Sequence, residues 1–194
     1  MHEILPGIYA WRWPSPRFGY DFNGHLVEGL CIDPVEMDEP TLDAIAGRGV
    51  TRILLTNRNH FRAAERVRAR TGARVAVHPA DAAFVRSKGV VVDDELADGQ
   101  VVGPLRVVGV PGKSPGEVAF HWPERRLLIV GDACVGNPPG KLGLLPSAAI
   151  DDAARLRESL RALLAVDFDA MLVGDGVAIL TGAKERLRDL VERP

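Results

Sequence analysis

Ile53-Leu54-Leu55 can hardly be anything but the buried end of a strand, and the residues that follow decide what kind of sheet surrounds it. Three consecutive leucine or β-branched residues read as an interior strand. Arg62 to Thr71, stopped by Gly72, reads as a helix. Between them stands the polar stretch Thr56-Asn57-Arg58-Asn59-His60. Polar side chains at the carboxyl end of a strand that feeds a helix occupy the place where open α/β sheets carry their chemistry. Asn59 fits a helix N-cap, but capping leaves Asn57, His60 and Arg62 without a purpose.

The rest of the chain alternates around that stretch. Residues 4 to 13 read as a strand containing a Pro-Gly turn, and 23 to 27 with 30 to 33 as a hairpin around Glu28-Gly29. A helix over 41 to 46, a strand over 74 to 77 and a small helix over 80 to 86 complete a strand–helix alternation. The middle is strand-rich, with short strands at 101–102, 105–110, 117–121 and 127–130 between Gly-Pro, Pro-Gly and Pro-Glu turns. Ser147 is the expected cap of a helix with Asp151 and Asp152 in its first turn and a stripe of Ile150, Leu156, Leu160, Leu163 and Leu164. A strand over 170 to 173 and a helix opened by Thr181 close the chain. Elements segregated in this way suggest sheets stacked between helices.

At 194 residues, with 46% hydrophobic and 26% charged residues, the chain is long enough to bury a core without a disulfide or metal. It reads as a single domain over 1–194. A formal net charge of -2 gives no overall pull toward nucleic acid or membrane. Met1-His2-Glu3-Ile4 lacks a basic segment followed by an apolar run, so no signal peptide is expected. No stretch has the apolar length of a membrane span. Cys31 and Cys134 form no metal-type pair and suggest a reducing compartment, so a cytoplasmic location is expected. Cys134 reads as a small core residue. Arg58, Arg62, Arg66, Arg68, Arg70 and Arg74 form a basic run that could serve an anionic or RNA ligand, but without interleaved aromatic residues it reads as a solvated helix face.

Thr56-Asn57-Arg58-Asn59-His60-Phe61-Arg62 resembles the Thr-His-x-His-x-Asp-His signature of the metallo-β-lactamase superfamily. In that resemblance Asn57 and Asn59 stand at the first two histidines, Phe61 at the aspartate and Arg62 at the last histidine. Pro111-Gly112-Lys113-Ser114-Pro115-Gly116 resembles the family's Pro-Gly-His-Thr-Pro-Gly loop, with Lys113 at its zinc-binding histidine. Ile129-Val130-Gly131-Asp132 resembles the strand ending in Gly-Asp, and Asp132 matches the bridging aspartate. Gly174-Asp175-Gly176 resembles a Gly-His-Gly, with Asp175 for histidine, and Cys31-Ile32-Asp33-Pro34 the early strand ending in an aspartate. The landmarks run in order across residues 23 to 182. They imply an α/β fold, the four-layer αβ/βα sandwich of the metallo-β-lactamase type.

The same resemblance implies a zinc site whose ligands have been exchanged. Zinc takes three or four nitrogen, sulfur or carboxylate ligands at roughly 2.0–2.3 Å. Asp132 keeps a ligand and Asp175 is a possible substitute, whereas Asn57 and Asn59 are poor ligands and Arg62 and Lys113 are cations. The histidines at 2, 25, 60, 78 and 121 show no spacing that places two on one face. No metal or other cofactor is therefore expected, with a single ion on His60, Asp132 or Asp175 left open. If the family geometry holds, Arg62 and Lys113 pair with Asp132 and Asp175 in place of a metal cluster. One such pair at about 4 Å attracts by about 4 kcal/mol at an effective dielectric near 20, and desolvation cancels much of that.

The chain therefore reads as a pseudoenzyme of this fold. Asn57, Asn59, His60, Arg62, Lys113, Asp132 and Asp175 are its candidate ligand-binding residues, for a small anionic ligand or a protein partner. A former metal cavity plugged by ion pairs, with no ligand, is the plainer reading of the same residues. The alternative function is a hydrolase with a reduced site around His60, Asp132 and Asp175. His60, at a strand-to-helix junction, could titrate near neutral pH.

Overall fold

A computed structural model describes residues 1–15 and 19–192. The chain gathers into two compact units, Met1–Leu96 and Ala97–Pro194.

In the first unit, β1 (His2–Leu5), β2 (Ile8–Ser15), β3 (Tyr20–Val27), β4 (Leu30–Ile32), β5 (Arg52–Leu54), β6 (Arg74–Val77) and β7 (Asp94–Glu95) lie in that order in one sheet. The first four pair antiparallel and β4 to β7 pair parallel. Pro6-Gly7, expected inside a single strand, separates β1 from β2. The Glu28-Gly29 hairpin is as expected: both residues have positive φ, 44° and 76°, which matches the twist of the flanking strands. The strand β7 is a two-residue pairing of charged residues that no apolar pattern announces. Its Asp94 is held by Arg52 and Arg74.

Three helices accompany this sheet: α1 (Glu39–Ala46), α2 (Ala64–Thr71) and α3 (Pro79–Ser87). Asp38 caps α1 by accepting a hydrogen bond from Thr41 N at 2.9 Å. The start of α2 corrects the sequence reading. Its cap is Ala63, with no side-chain hydrogen bond, and residues 57 to 63 form turns. Asn59 is exposed and is not the cap of α2; its N–H donates to Asn57 Oδ1 at 2.9 Å in an Asx turn. Ile53, Leu55, Val67, Val75 and Val77 are buried together in the core of the unit, each contributing roughly 1.5–3 kcal/mol of hydrophobic stabilisation.

The basic run is largely neutralised where it lies. Arg66 pairs with Glu39, Arg68 with Asp93, Arg70 with Glu39 and Asp43, and Arg74 with Asp94. Such half-exposed pairs add little stability, but they leave little uncompensated charge for a phosphate backbone.

In the second unit, β8 (Val101–Val102), β9 (Leu105–Gly109), β10 (Val118–Trp122) and β11 (Leu127–Val130) form an antiparallel meander. The strand β12 (Ala170–Val173) adds parallel to β11, with Val130 opposite Val173. Helix α4 (Ala153–Leu163) lies in the connection between them, and α5 (Ala183–Glu192) follows β12. Ser147 does not cap α4. It opens a single 3-10 turn, Ile150 is extended, and Asp152 is the cap, accepting from Arg155 N at 2.9 Å. The stripe Leu156, Leu160 and Leu163 is buried as its spacing requires. The last helix starts two residues after Thr181, because Gly182 N donates to Asp169 Oδ1.

Both cysteines are fully buried in these cores, Cys31 in β4 and Cys134 after β11. Desolvation pushes both thiols up, Cys134 to about 12, and the nearby carboxylates Asp33 and Glu117 act in the same direction. Neither is a ready nucleophile. A thiol-disulfide reagent at pH 8 is expected to modify neither in the folded protein and both in denaturant; rapid labelling of native protein would contradict this. Among the described residues, no helix is long and apolar enough to cross a membrane.

Candidate functional site

In the first unit the polar residues collect beyond the carboxyl ends of the parallel strands, as the geometry of such sheets favours. Asp33 follows β4, and its backbone N–H donates to Leu54 O at 3.0 Å while its φ is 49°. That left-handed conformation is uncommon outside glycine. It is held because the carboxylate is fully committed. Oδ1 accepts from Thr56 N at 2.8 Å, and Oδ2 accepts from Thr56 Oγ1 at 2.6 Å. His60 Nδ1 lies 2.9 Å from the same Oδ2 and 3.0 Å from Thr56 Oγ1.

The hydrogens follow from this count. The Thr56 hydroxyl spends its proton on Asp33, so it meets Nδ1 with a lone pair. In a neutral ring Nδ1 then carries the hydrogen and donates to Asp33. The side chains of His60 and Asp33 are 0% and 2% exposed. His25 lies in the same buried polar region, and its Nδ1 has no hydrogen-bond partner among the described residues. Burial above all lowers its pKa to about 4, against the pull of Asp33 and with the push of His60.

The other candidates of this unit separate by exposure. Asn57 is fully buried, whereas Asn59 is exposed. Arg62 is accounted for inside its own unit: its guanidinium stacks over the Phe22 ring, 4.2 Å from the centroid. The expectation that Arg62 serves a carboxylate is corrected to a cation–π contact, made possible because β3 presents an aromatic side chain to the 57–63 turns.

In the second unit Asp132 and Asp175 hold equivalent places, each two residues past the end of neighbouring parallel strands β11 and β12. Both are buried, 5% and 4% exposed, and each offers a carboxylate oxygen within 4.8 Å of the other's. Lys113 Nζ lies 2.7 Å from Asp132 Oδ2, with both side chains buried. This is the ion pair expected from the sequence. Asp132 N donates to Glu117 Oε1 at 2.7 Å, which fixes the backbone that carries the carboxylate.

The loop bearing Lys113 is itself anchored. Asp152 N donates to Gly112 O at 2.8 Å, Asp151 N to Lys113 O at 3.3 Å, and Ser159 Oγ to Pro111 O at 2.7 Å. Gly112, at φ 142°, comes so close to α4 that a Cβ would stand 2.3 Å from Leu156 N. Only glycine brings the loop that near the helix.

Asp33, Thr56, His25 and Glu117 were not among the candidates. Asp33 had a signal, a strand-ending aspartate before proline, but nothing in the sequence tied it to His60. Glu117 sits in the landmark loop without a residue pattern that assigns it a partner.

A protein-family model described as the metallo-beta-lactamase superfamily matches residues 2–193. Hydroxyacylglutathione hydrolases of Cereibacter sphaeroides and Fuscovulum blasticum are 39% and 35% identical over 111 residues, 53% of this chain. The matched stretch spans 42% of the length of those relatives, under half. Among solved structures, TTHA1623 in a di-iron-bound form is 25% identical with a TM-score of 0.70, covering 91% of this chain and 98% of that one. A metallo-β-lactamase from Erythrobacter litoralis aligns with a TM-score of 0.76 at 19% identity, covering 98% and 95%. The mixed α/β fold with two sheets and, among the described residues, five α-helices is the fold of these neighbours.

Proposed function

Because this chain belongs to the metallo-β-lactamase superfamily, we propose that it is a hydrolase of that family working through an unconventional site, with His60 as general base. The observation that carries the reading is the buried Asp33–Thr56–His60 arrangement, in which a carboxylate orients the imidazole through Nδ1. The first expectation, a non-enzymatic binding protein, has less behind it than this alternative, since the curated relatives are hydrolases by name. The substrate class proposed is the one in that name, a hydroxyacyl thioester of glutathione.

A metal pair does not fit the residues present. Asn57 and Asn59 are amides, and Asn59 is exposed; Arg62 is stacked on Phe22. The position implied for a histidine is taken by the Lys113 ammonium, already seated 2.7 Å from Asp132. A metal on Asp132 would face a buried like charge. On this reading the ammonium supplies the positive charge that neutralises the paired carboxylates, and no step passes through a metal.

The chemistry then rests on His60. Its Nε2 takes a proton from the attacking water as the water oxygen bonds to the acyl carbon. Asp33 stabilises the imidazolium that forms, and the proton passes to the departing thiolate as the carbon–sulfur bond breaks. The test is hydrolysis of S-lactoylglutathione by protein assayed with and without a strong chelator, alongside elemental analysis. Expected are turnover that survives chelation, zinc well below one equivalent, and a loss of at least about 100-fold in His60→Gln. Activity abolished by the chelator and restored by zinc, an unchanged His60→Gln rate, or no thioester hydrolysis would overturn the reading.

A further inference from the structure

The first unit holds a cavity of about 530 Å³ to which the chemistry above assigns no part. It sits where β1 stops: the pairing of β1 with β2 ends at His2 opposite Ala10, and β2 continues to Ser15. Beyond Ala10 that edge of β2 has no strand beside it among the described residues. Side chains from both faces of β2 therefore reach the notch, Trp11 and Trp13 from one and Arg12 from the other, with Pro14 and Met37 completing its apolar wall. The volume falls within the roughly 300–1,000 Å³ typical of small-molecule sites.

We infer that this notch binds a small aromatic carboxylate, its ring on Trp13 with the edge of Trp11 as the floor, and its anion on Arg12. Trp11 is a rigid wall, 3% exposed, with Nε1 donating to Val35 O at 3.2 Å. Its ring lies so near Gly24 that a Cβ there would stand 2.3 Å away, so it cannot swing inward on that side. Trp13 is 44% exposed. Its indole gives the cavity an accessible flat apolar face, and flat rings stack on indoles in offset geometry.

The charges select the sign of the ligand. Arg12 has an ion pair with Asp21 stretched to 3.9 Å, beyond hydrogen-bond reach, so its planar fork keeps donors for a carboxylate. Asp38, also at the cavity, is committed elsewhere: hydrogen bonds from Thr41 hold its carboxyl below the usual range while it caps α1. His2 is kept neutral near pH 7 by burial and then by the Arg12 charge, which lower its pKa. The guanidinium is the side-chain cation facing the notch, and the Met1 ammonium there donates to Thr41 Oγ1 at 3.5 Å.

Calorimetric titration with 1-naphthoate and with its neutral analogue 1-naphthamide tests the inference. Naphthoate is expected to bind one to one, and naphthamide about tenfold more weakly, the worth of one charge-assisted contact at a half-exposed site. Arg12→Gln should remove that preference, and Trp13→Ala should weaken both probes; Trp13 is exposed, so the variant keeps its core. No saturable binding, equal affinity for the two probes, or unchanged binding in Trp13→Ala would overturn the proposal. Neither residue takes part in the hydrolysis proposed above, so failure of one reading leaves the other standing.

Discussion

Asp132→Ala is expected to lower the melting midpoint of this protein far more than the exposed substitution Glu124→Ala. Lys113 and Asp132 form a pair 2.7 Å apart with side chains 5% and 6% exposed. Removing Asp132 takes the carboxylate 2.7 Å away from a buried ammonium, at a cost of about 3–5 kcal/mol. For a chain of this length that is roughly 6–20 °C in the midpoint. The loss measures a buried ammonium deprived of this carboxylate, not the worth of the pair, because desolvation cancels most of the attraction when both charges are present. A double replacement, Lys113→Met with Asp132→Leu, should therefore recover part of the loss, since the buried Asp175 carboxylate beside them stays in place. Thermal melts of the two single variants, the double variant and Glu124→Ala close the cycle. An Asp132→Ala protein as stable as its parent would mean that Asp132 is held under strain, as residues in working sites often are.

The second large effect is a fall in stability as pH drops from about 6.5 to about 4, caused by His25. This side chain is 2% exposed in β3, and desolvation lowers its pKa to about 4. In the unfolded chain it titrates near its ordinary value, about 6.5. Between those values the unfolded chain binds more protons, so stability rises with pH across the window and is complete above it. The stake is on the order of 3 kcal/mol, at about 1.4 kcal/mol per pH unit. The carboxylates lowered by arginine hydrogen bonds, Glu39, Asp93 and Asp94, act from ordinary values of 4.5 and 3.8 downward, largely outside this window. His25→Leu, which fits the apolar neighbourhood, should flatten the midpoint against pH between 6.5 and 4.5. Parallel curves for parent and variant would show that His25 is not what makes the fold sensitive to acid there.

Much of the architecture was legible before any coordinates, because it depends on local periodicity. The apolar run at Ile53, the Glu28-Gly29 hairpin, the leucine stripe of α4 and the short strands of the second unit each carry their signal within a few residues. Where local chemistry offers two equivalent answers, the sequence alone does not choose between them. Ser147 and Asp152 are both competent caps, and only the extended backbone at Ile150 decides for Asp152. Asn59 has the side chain of a helix cap, but the helix opens later, after Ala63, and in the turn before it Asn59 gives its backbone N–H to the Asn57 side chain.

The candidate site divides along the same line. The identities of Lys113 and Asp132, a cation in one landmark loop and an anion after one strand, were enough to expect their ion pair. Arg62 had the same charge and the same resemblance behind it, yet it stacks on Phe22, 40 positions away in sequence, a neighbour that only the packing of the turns beside β3 supplies. The sequence by itself determined the superfamily and which charges this chain carries at its landmarks, since both are written in residue types and their order. The tertiary structure alone decided that Asp33 holds His60, because that bond joins the ends of two parallel strands whose side chains share no sequence pattern.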